Sequence, residues 1–288
     1  MNFGTVCIIG PGLIGGSIGL CLKKRNLASK IIGVCHRTSS IEKAVKMQAL
    51  DAGFLNANEA VKDADIVILA TSVDKIIDLA KEVIPIMKSN SILTDVGSTK
   101  ALIVKQITNN IRKDIAFVGA HPIAGSEQRG IEVALPDLFD GCTCIITPLK
   151  YSTKAVETIS TMWQLMGAKV KFMSPEQHDE ILASVSHLPH LVASCLINSI
   201  KKEHISYVAS GLRDTTRIAS GDPELWANIF DQNRDNVIKS IEQLIAELNK
   251  FKNDLINKDA AALIDKLKKA KLIRDSVFNN NSKNLNKK

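Results

Sequence analysis

Three glycines near the N-terminus, Gly10, Gly12 and Gly15, have the spacing that suits the binding of a diphosphate. In such a loop the first glycine permits a tight turn and the second lets the backbone approach the diphosphate. The third lets the following helix lie close to the sheet. An apolar β-branched run before the loop predicts a buried parallel strand, and helical spacing follows it. The first amides of that helix, around Leu13 and Ile14, favour the same anion. The stretch therefore predicts a dinucleotide-binding site.

The end of the second predicted strand, 30–35, bears on the choice between the two nicotinamide dinucleotides. Enzymes that bind NAD usually place Asp or Glu there to hold the ribose 2′-hydroxyl. This chain has His36, Arg37 and three hydroxyl side chains instead, which could surround a 2′-phosphate. The pattern slightly favours NADP, with the alternative that Arg37 stacks on the adenine or faces water. Thr71 and Ser72 end a further predicted strand, where open α/β sheets bind ligands, and complete the predicted cofactor-binding residues.

Residue type alone does not require a catalytic role for the other polar side chains, because each could have a structural role. His121 ends the predicted strand 116–120 and could simply bond to backbone, while Ser98 could be the N-cap of a helix through Ile111. His187 and His190 lie three residues apart, as some metal ligands do, but the sequence offers no evident third ligand. We therefore predict no metal site.

The pattern of elements predicts how these residues are positioned. Strands and helices alternate through residues 1–172, which predicts an α/β fold with a Rossmann-type, mostly parallel sheet. Helices alone fill 173–278, with a kink expected at Pro189 in a helix over about 175–202. Apolar residues from Val237 to Leu255 alternate four and three apart, a seam that could form the core or a subunit interface. The Asn-rich tail, 279–288, is predicted to be disordered.

Composition narrows the class of protein. The chain has 288 residues and a formal net charge of +7, with only 4% aromatic residues and no basic run interleaved with them, which argues against nucleic-acid binding. The six cysteines fall inside apolar strands and helices, as reduced buried thiols of a cytoplasmic protein do. The N-terminus does not resemble a signal peptide, and no apolar stretch is expected to span a bilayer. We expect a soluble, intracellular protein.

Four motifs together resemble the prephenate/arogenate dehydrogenase family. They are Gly119–Gly125 around His121, Asp95–Lys100, Ser186–His190 and Arg213–Ala219, and the resemblance extends to about Phe278. It implies oxidative decarboxylation on the tyrosine pathway, from prephenate to 4-hydroxyphenylpyruvate or from arogenate to tyrosine, with NAD or NADP as the hydride acceptor. It also implies an all-helical C-terminal domain that pairs with a second copy in a homodimer.

The resemblance assigns roles to individual residues. His121 matches the histidine that bonds the C4 hydroxyl of the substrate, where an imidazole suits proton transfer near neutral pH. Ser98 matches a serine near that hydroxyl, and His190 a second histidine lining the pocket. Arg217 matches the arginine that binds the side-chain carboxylate, and Glu127 an acidic residue near the pocket entrance. A further residue, Ser186, is placed with the substrate-binding group.

Two other functions remain open from the sequence. One is a different two-domain NAD(P) dehydrogenase or reductase, although such an enzyme would be expected to use a catalytic lysine or aspartate in the helical domain. The other is a redox sensor that binds NADP without catalysis, against which the histidine, serine and arginine set argues. The sequence distinguishes neither prephenate from arogenate nor NAD from NADP.

Overall fold

The computed structural model describes residues 1–125, 128–148 and 153–285, with only the backbone from 278 onward. The chain divides into two compact units, Met1–Val237 and Ile238–Lys288. The boundary predicted at residue 172 lies inside the first unit, because helices that follow it pack against the sheet and its flanking helices.

An eight-stranded sheet organises the first unit, in the order β3-β2-β1-β4-β5-β6-β7-β8. Neighbouring strands are parallel except for the antiparallel pair of β6 and β7, which confirms the mostly parallel α/β sheet. The strands are β1 (Thr5–Ile9), β2 (Lys30–Val34), β3 (Ala52–Phe54), β4 (Ile66–Leu69), β5 (Ile92–Asp95), β6 (Ala116–Ile123), β7 (Thr143–Thr147) and β8 (Lys169–Phe172). The strand order reverses between β1 and β4, and sheets of this kind bind ligands at the carboxyl ends of the strands beside such a point.

Helices cover both faces of the sheet and follow it in the chain. They are α1 (Leu13–Lys24), α2 (Thr38–Lys46), α3 (Ala57–Val61), α4 (Val73–Val83), α5 (Ala101–Thr108), α6 (Lys154–Leu165), α7 (Pro175–Leu182), α8 (Leu188–Asn198), α9 (Ser210–Thr216), α10 (Pro223–Gln232), α11 (Arg234–Ile256) and α12 (Ala260–Leu285). Short 3₁₀ helices span Ile131–Val133, Lys202–Tyr207 and Arg217–Ser220.

Two apolar cores lie on opposite faces of the sheet. Successive residues of β1 alternate between them: Val6 and Ile8 join one, and Cys7 and Ile9 the other. Both sets are fully or almost fully buried, which explains the continuous apolar run in the sequence. Ile229 of α10 belongs to the second core, so the helices after the sheet share its packing.

The segment Pro175–Asn198 differs from the sequence prediction in two ways. A π-helical turn, Ala183–His187, separates α7 from α8 ahead of Pro189. The whole segment is also long and apolar enough, by length and composition alone, to cross a membrane, so the expectation that no stretch reaches that length is wrong. Its charged residues, Glu176, Asp179 and Glu180, all lie in the first six positions, and 181–198 contains no Asp, Glu, Lys or Arg. Core helices of soluble proteins satisfy the same criterion, and α7 packs on α5 and β7.

Elements that are short or lack a clear hydrophobic pattern could not be predicted from the sequence. Strand β3 has three residues and α3 has five, too few to show a period. Helix α12 reaches Leu285, into the tail predicted to be disordered, while 286–288 lie outside the described residues. Helix growth is cooperative, which lets a helix continue over residues that would not begin one.

Candidate active site

The glycine loop after β1 has the geometry that the sequence requires of it. Gly10 has a φ of +90°, and a side-chain Cβ there would lie 2.8 Å from the Ala70 oxygen. A Cβ on Gly15 would lie 2.5 Å from the Gly10 oxygen, so α1 can approach β1 only with glycine at this position. Gly12 faces open space, with nothing within 4 Å of its Cβ position, and therefore leaves room for a ligand against the backbone.

A cavity of about 760 Å³ lies at the carboxyl ends of β1, β4, β5 and β6. We call its side at the strand ends the sheet wall and its side formed by residues after 173 the helical wall. The sheet wall includes Gly12, Leu13, Ile14, Thr71, Ser72, Ser98 and His121. The helical wall includes Ser186, His187, Arg217, Asp222 and Trp226. A 2.5 Å ion pair between Arg129 and Asp222 joins the two walls.

His121 is the titratable group at the centre of the sheet wall. Its side chain is 9% exposed, and its Nδ1 lies 2.8 Å from Nε2 of His178. Burial holds the pKa of His121 well below its ordinary value, and nearby cationic or titratable groups, His178 before Lys100, act in the same direction. The imidazole is therefore neutral near neutral pH and can accept a proton.

His178 and Asp179 begin a buried hydrogen-bond chain behind His121. Nδ1 of His178 lies 2.7 Å from Oδ1 of Asp179. The Asp179 carboxylate also accepts hydrogen bonds from the backbone N–H groups of Lys100 and Ala101, at 2.8 and 2.9 Å. Burial lowers the pKa of His178, and the hydrogen bond that His178 donates to Asp179 opposes that effect. The sequence left His178 without a role, although its direct neighbour in the capped helix α7 is an aspartate.

A buried ion pair supports the same part of the sheet wall. Lys100 and Asp95, both fully buried, form a salt bridge. Asp95 also accepts a hydrogen bond from the Gly97 amide at 2.8 Å, which shapes the loop leading to Ser98. Ser98 is half-buried and lines the cavity, whereas α5 begins only at Ala101 with its first amides bonded to Asp179. The alternative of Ser98 as the N-cap of this helix is therefore wrong.

The helical wall supplies a cation and hydrogen-bonding groups. Arg217, exposed, and Ser186, half-buried, both line the cavity. His187 lines it as well, although the sequence gave it no part in the site. Nδ2 of Asn233 donates to the Asp179 carbonyl at 2.7 Å and lies 3.1 Å from Nδ1 of His187. That nitrogen of His187 is therefore an acceptor, and burial lowers the pKa of His187 to about 4.

His190 lies behind the cavity rather than among the residues that line it. Its ring stacks on Trp226, with centroids 3.8 Å apart and an interplanar angle of 20°. It is 4% exposed, and its Nδ1 has no hydrogen-bond partner among the residues that the structure describes. The structure thus differs from the pocket-lining position predicted for His190, because the ring of Trp226 packs against it.

The remaining predicted residues lie at the margins of the site. His36 and Arg37 are exposed after β2 and are not among the lining residues. Glu127 lies outside the described residues. Within the described parts of the chain, no group of three or more His, Cys, Asp or Glu side chains could hold a metal ion. The arrangement as a whole places the neutral imidazole of His121 and the hydroxyl of Ser98 on one wall of the cavity and the cation of Arg217 on the other.

Two family models match the chain. One, described as prephenate dehydrogenase, nucleotide-binding domain, matches residues 18–172. The other, described as prephenate dehydrogenase, dimerization domain, matches residues 174–269.

Curated relatives agree with these matches. A prephenate dehydrogenase of Bacillus subtilis is 34% identical, over 95% of this chain and 76% of its own length. A cyclohexadienyl dehydrogenase of Zymomonas mobilis is 30% identical, over 94% of this chain and 95% of its own length.

Solved structures are similar over almost the whole chain. The prephenate dehydrogenase of Aquifex aeolicus, in complex with hydroxyphenyl propionate and NAD⁺, has a TM-score of 0.89 and 34% identity, covering 96% of this chain and 99% of that one. An arogenate dehydrogenase of Synechocystis has a TM-score of 0.81 and 28% identity, covering 95% of this chain and 99% of that one.

Proposed function

The chain belongs to the prephenate dehydrogenase family, and from that premise we propose how the residues of its cavity carry out the reaction. The protein is an NAD(P)-dependent oxidoreductase of tyrosine biosynthesis, and its reaction is an oxidative decarboxylation. The substrate is a cyclohexadienol with a carboxylate and a side chain on C1 and a hydroxyl on C4. Hydride leaves C4, the hydroxyl gives up its proton, loss of CO₂ makes the ring aromatic, and the resulting phenolate oxygen takes up a proton to give the phenol.

The observation that carries the proposal is that His121 and Arg217 line one cavity from opposite walls. His121 accepts the proton of the C4 hydroxyl, because burial keeps its imidazole neutral at the pH of the cytoplasm. Ser98, on the loop beside it, hydrogen-bonds the same hydroxyl and orients it. Arg217 binds the side-chain carboxylate of the substrate through its planar, two-pronged guanidinium group, and Ser186 adds a hydroxyl on the same wall.

Two predicted residues, His190 and Glu127, are not among the described residues that line the cavity. His190 is buried behind Trp226, so its effect on substrate reaches the cavity through that ring or through movement of it. The role of Glu127 at the pocket entrance stays a prediction.

The glycine loop and the adjacent strand ends fit a nicotinamide dinucleotide, which accepts the hydride when bound. Gly12 leaves open space for the diphosphate, the amides at the start of α1 bind it, and Thr71 and Ser72 line the same cavity. We propose a slight preference for NADP over NAD, supported by the absence of a carboxylate after β2 and by the exposed His36 and Arg37 there.

The proposed organisation follows the family models in its two parts. We propose a dinucleotide-binding domain over 1–172 and a helical substrate and dimerisation domain over 173–278. The exposed apolar side chains of α11, among them Ile245, Leu248 and Leu255, support pairing with a second copy through the C-terminal helices. A cytoplasmic location suits a biosynthetic enzyme of this kind.

Absorbance at the reduced-nicotinamide band tests the proposal with four combinations, prephenate or arogenate with NAD⁺ or NADP⁺. We expect a rise in absorbance with at least one substrate and a higher kcat/KM for NADP⁺ than for NAD⁺. The Arg37→Ala variant should lower kcat/KM for NADP⁺ and leave that for NAD⁺ nearly unchanged. No rise in any combination, despite measurable NADP binding, would favour the sensor alternative.

A further inference from the structure

His178 is a buried histidine whose two ring nitrogens both have partners. Its side chain is 0% exposed; Nε2 lies 2.8 Å from Nδ1 of His121, and Nδ1 lies 2.7 Å from Oδ1 of Asp179. Burying three polar side chains in a row is costly unless each hydrogen bond is made, so the arrangement is not an ordinary way to fill a core.

The direction of each hydrogen bond in this chain follows from Asp179. Its carboxylate already accepts N–H groups from the backbone of Lys100 and Ala101, which fixes it as an acceptor. Nδ1 of His178 must therefore carry the hydrogen that it shares with Asp179. In the neutral ring Nε2 then has only a lone pair, and Nδ1 of His121 is the donor to it.

This direction determines which nitrogen of His121 is available for chemistry. With its hydrogen on Nδ1, the neutral His121 ring carries its free lone pair on Nε2, the nitrogen that the chain behind it leaves unused. The opposite tautomer would leave two lone pairs facing each other at 2.8 Å, between Nδ1 of His121 and Nε2 of His178. Only one of the two tautomers is compatible with the buried partners.

We propose that His178, oriented by Asp179, is a positioning residue that holds His121 in the tautomer able to act as a base. The inference rests on the proposed role of His121. His178 touches no substrate atom: it restrains the His121 ring and accepts its Nδ1–H, and it continues to accept that hydrogen when Nε2 of His121 takes the hydroxyl proton. Asp179 lies one residue further from the reaction and prevents the His178 ring from turning over.

The nearby charges make this restraint important for the reaction. The cation of Lys100 disfavours a positive charge on His121 and on His178. Asp179 is the anionic partner at the far end of the chain, and its hydrogen bond raises the pKa of His178. His178 thus passes to His121 the influence of a carboxylate that His121 does not contact.

Two substitutions at position 178 separate hydrogen bonding from packing. His178→Leu fills much of the space but accepts no hydrogen bond, whereas the amide of His178→Gln reaches the position of Nε2 and can accept from His121. We expect His178→Leu to lower kcat by roughly 10–100-fold with KM for substrate and for cofactor changed by less than about 3-fold. His178→Gln should recover most of that loss, and the exposed control His204→Gln should match the wild type. Equal losses in the Leu and Gln variants, or a wild-type kcat in His178→Leu, would overturn the proposal.

The tautomer itself is measured in the wild-type enzyme, so the test does not depend on a variant that folds. ¹⁵N NMR of histidine-labelled protein, with the His121 signals identified by their loss in His121→Asn, should show a protonated Nδ1 and an unprotonated Nε2. A hydrogen on Nε2 at neutral pH would contradict the proposal. If His121→Asn retains full activity, the role of His121 as the base fails instead; if only the His178 variants are unaffected, that role stands and the positioning role fails.

Discussion

The two walls of the cavity hold their polar side chains in different ways. On the sheet wall, His121 is buried and bonded to His178, and the loop that carries Ser98 is held by the fully buried pair of Asp95 and Lys100. On the helical wall, Arg217 is an exposed side chain on a short 3₁₀ helix. The base of the sheet wall is thus buried and bonded to a buried partner, whereas the cation of the helical wall lies on an exposed side chain.

This difference matches two different requirements of the reaction. Proton transfer needs a base in one tautomer and one orientation, because catalysis falls steeply when a reacting group is displaced. Binding of a carboxylate by a long cationic side chain tolerates some adjustment. We therefore expect changes on the sheet wall to act on kcat and changes on the helical wall to act on KM, and substitutions at His121 and Arg217 test that division.

The largest effect is expected for His121→Asn on the sheet wall. Asparagine keeps a polar side chain but cannot accept a proton in the same pH range, so kcat should fall by roughly 10²–10⁴-fold. KM for substrate should change far less. Steady-state kinetics measures both, with His204→Asn on the exposed 3₁₀ helix as the control. An unchanged kcat would remove His121 from the role of base and remove the distinction between the walls.

A smaller effect, on KM and not on kcat, is expected for Arg217→Ala. Loss of a hydrogen bond to a charged group is worth about 1.5–3 kcal/mol, so KM for substrate should rise by roughly 10–100-fold. Binding of the dinucleotide should be unchanged, as measured by titration calorimetry in the absence of substrate. Arg213→Ala is the matched control, since Arg213 lies one turn earlier and is not among the residues that line the cavity. Wild-type KM in Arg217→Ala would assign the carboxylate to another residue.

The sequence predicted the elements of the sheet wall better than their partners. Gly10, Gly12 and His121 follow predicted strands, and parallel strands bring their carboxyl ends to one edge, so their proximity could be predicted from local patterns. The bond between His121 and His178 depends on how α7 packs against the sheet. Periodicity predicts that a helix exists, but not where it packs.

The helical wall was harder to predict for a different reason. The π-helical turn Ala183–His187 changes the helical register ahead of α8. The 3.6-residue period then no longer tells which of His187 and His190 faces the cavity. In the structure His187 lines it and His190 stacks on Trp226.

Substitution at His190 tests whether that ring acts by packing or by contact with substrate. His190→Ala removes the ring stacked on Trp226 and should lower the free energy of unfolding by about 1–3 kcal/mol. His190→Phe keeps an aromatic ring and omits the buried Nδ1, so it should be closer to the wild type in stability. Denaturant unfolding and kinetics of both variants give the comparison. If His190→Phe is stable but KM rises or kcat falls by more than about 10-fold, the histidine contacts substrate after a rearrangement of Trp226.

The smallest effect, and one that both walls share, is the loss of stability in mild acid. Burial lowers the pKa of His121, His178 and His187 in the folded protein, that of His187 to about 4. Below the ordinary pKa near 6.5 the unfolded chain binds protons that the folded protein does not, so stability is complete above that pH and decreases as the pH falls towards the folded values. A histidine whose folded pKa lies well below the working pH, as that of His187 does, contributes about 1 kcal/mol per pH unit below its ordinary pKa. Urea unfolding at pH 7.5 and 5.5 should show the decrease, and His187→Asn, which keeps an acceptor for Asn233, should make the decrease smaller. His204→Gln should leave the slope unchanged. A stability that is the same at both pH values would mean that these side chains take up protons as readily in the folded protein as in the unfolded chain, which would contradict the lowered pKa values.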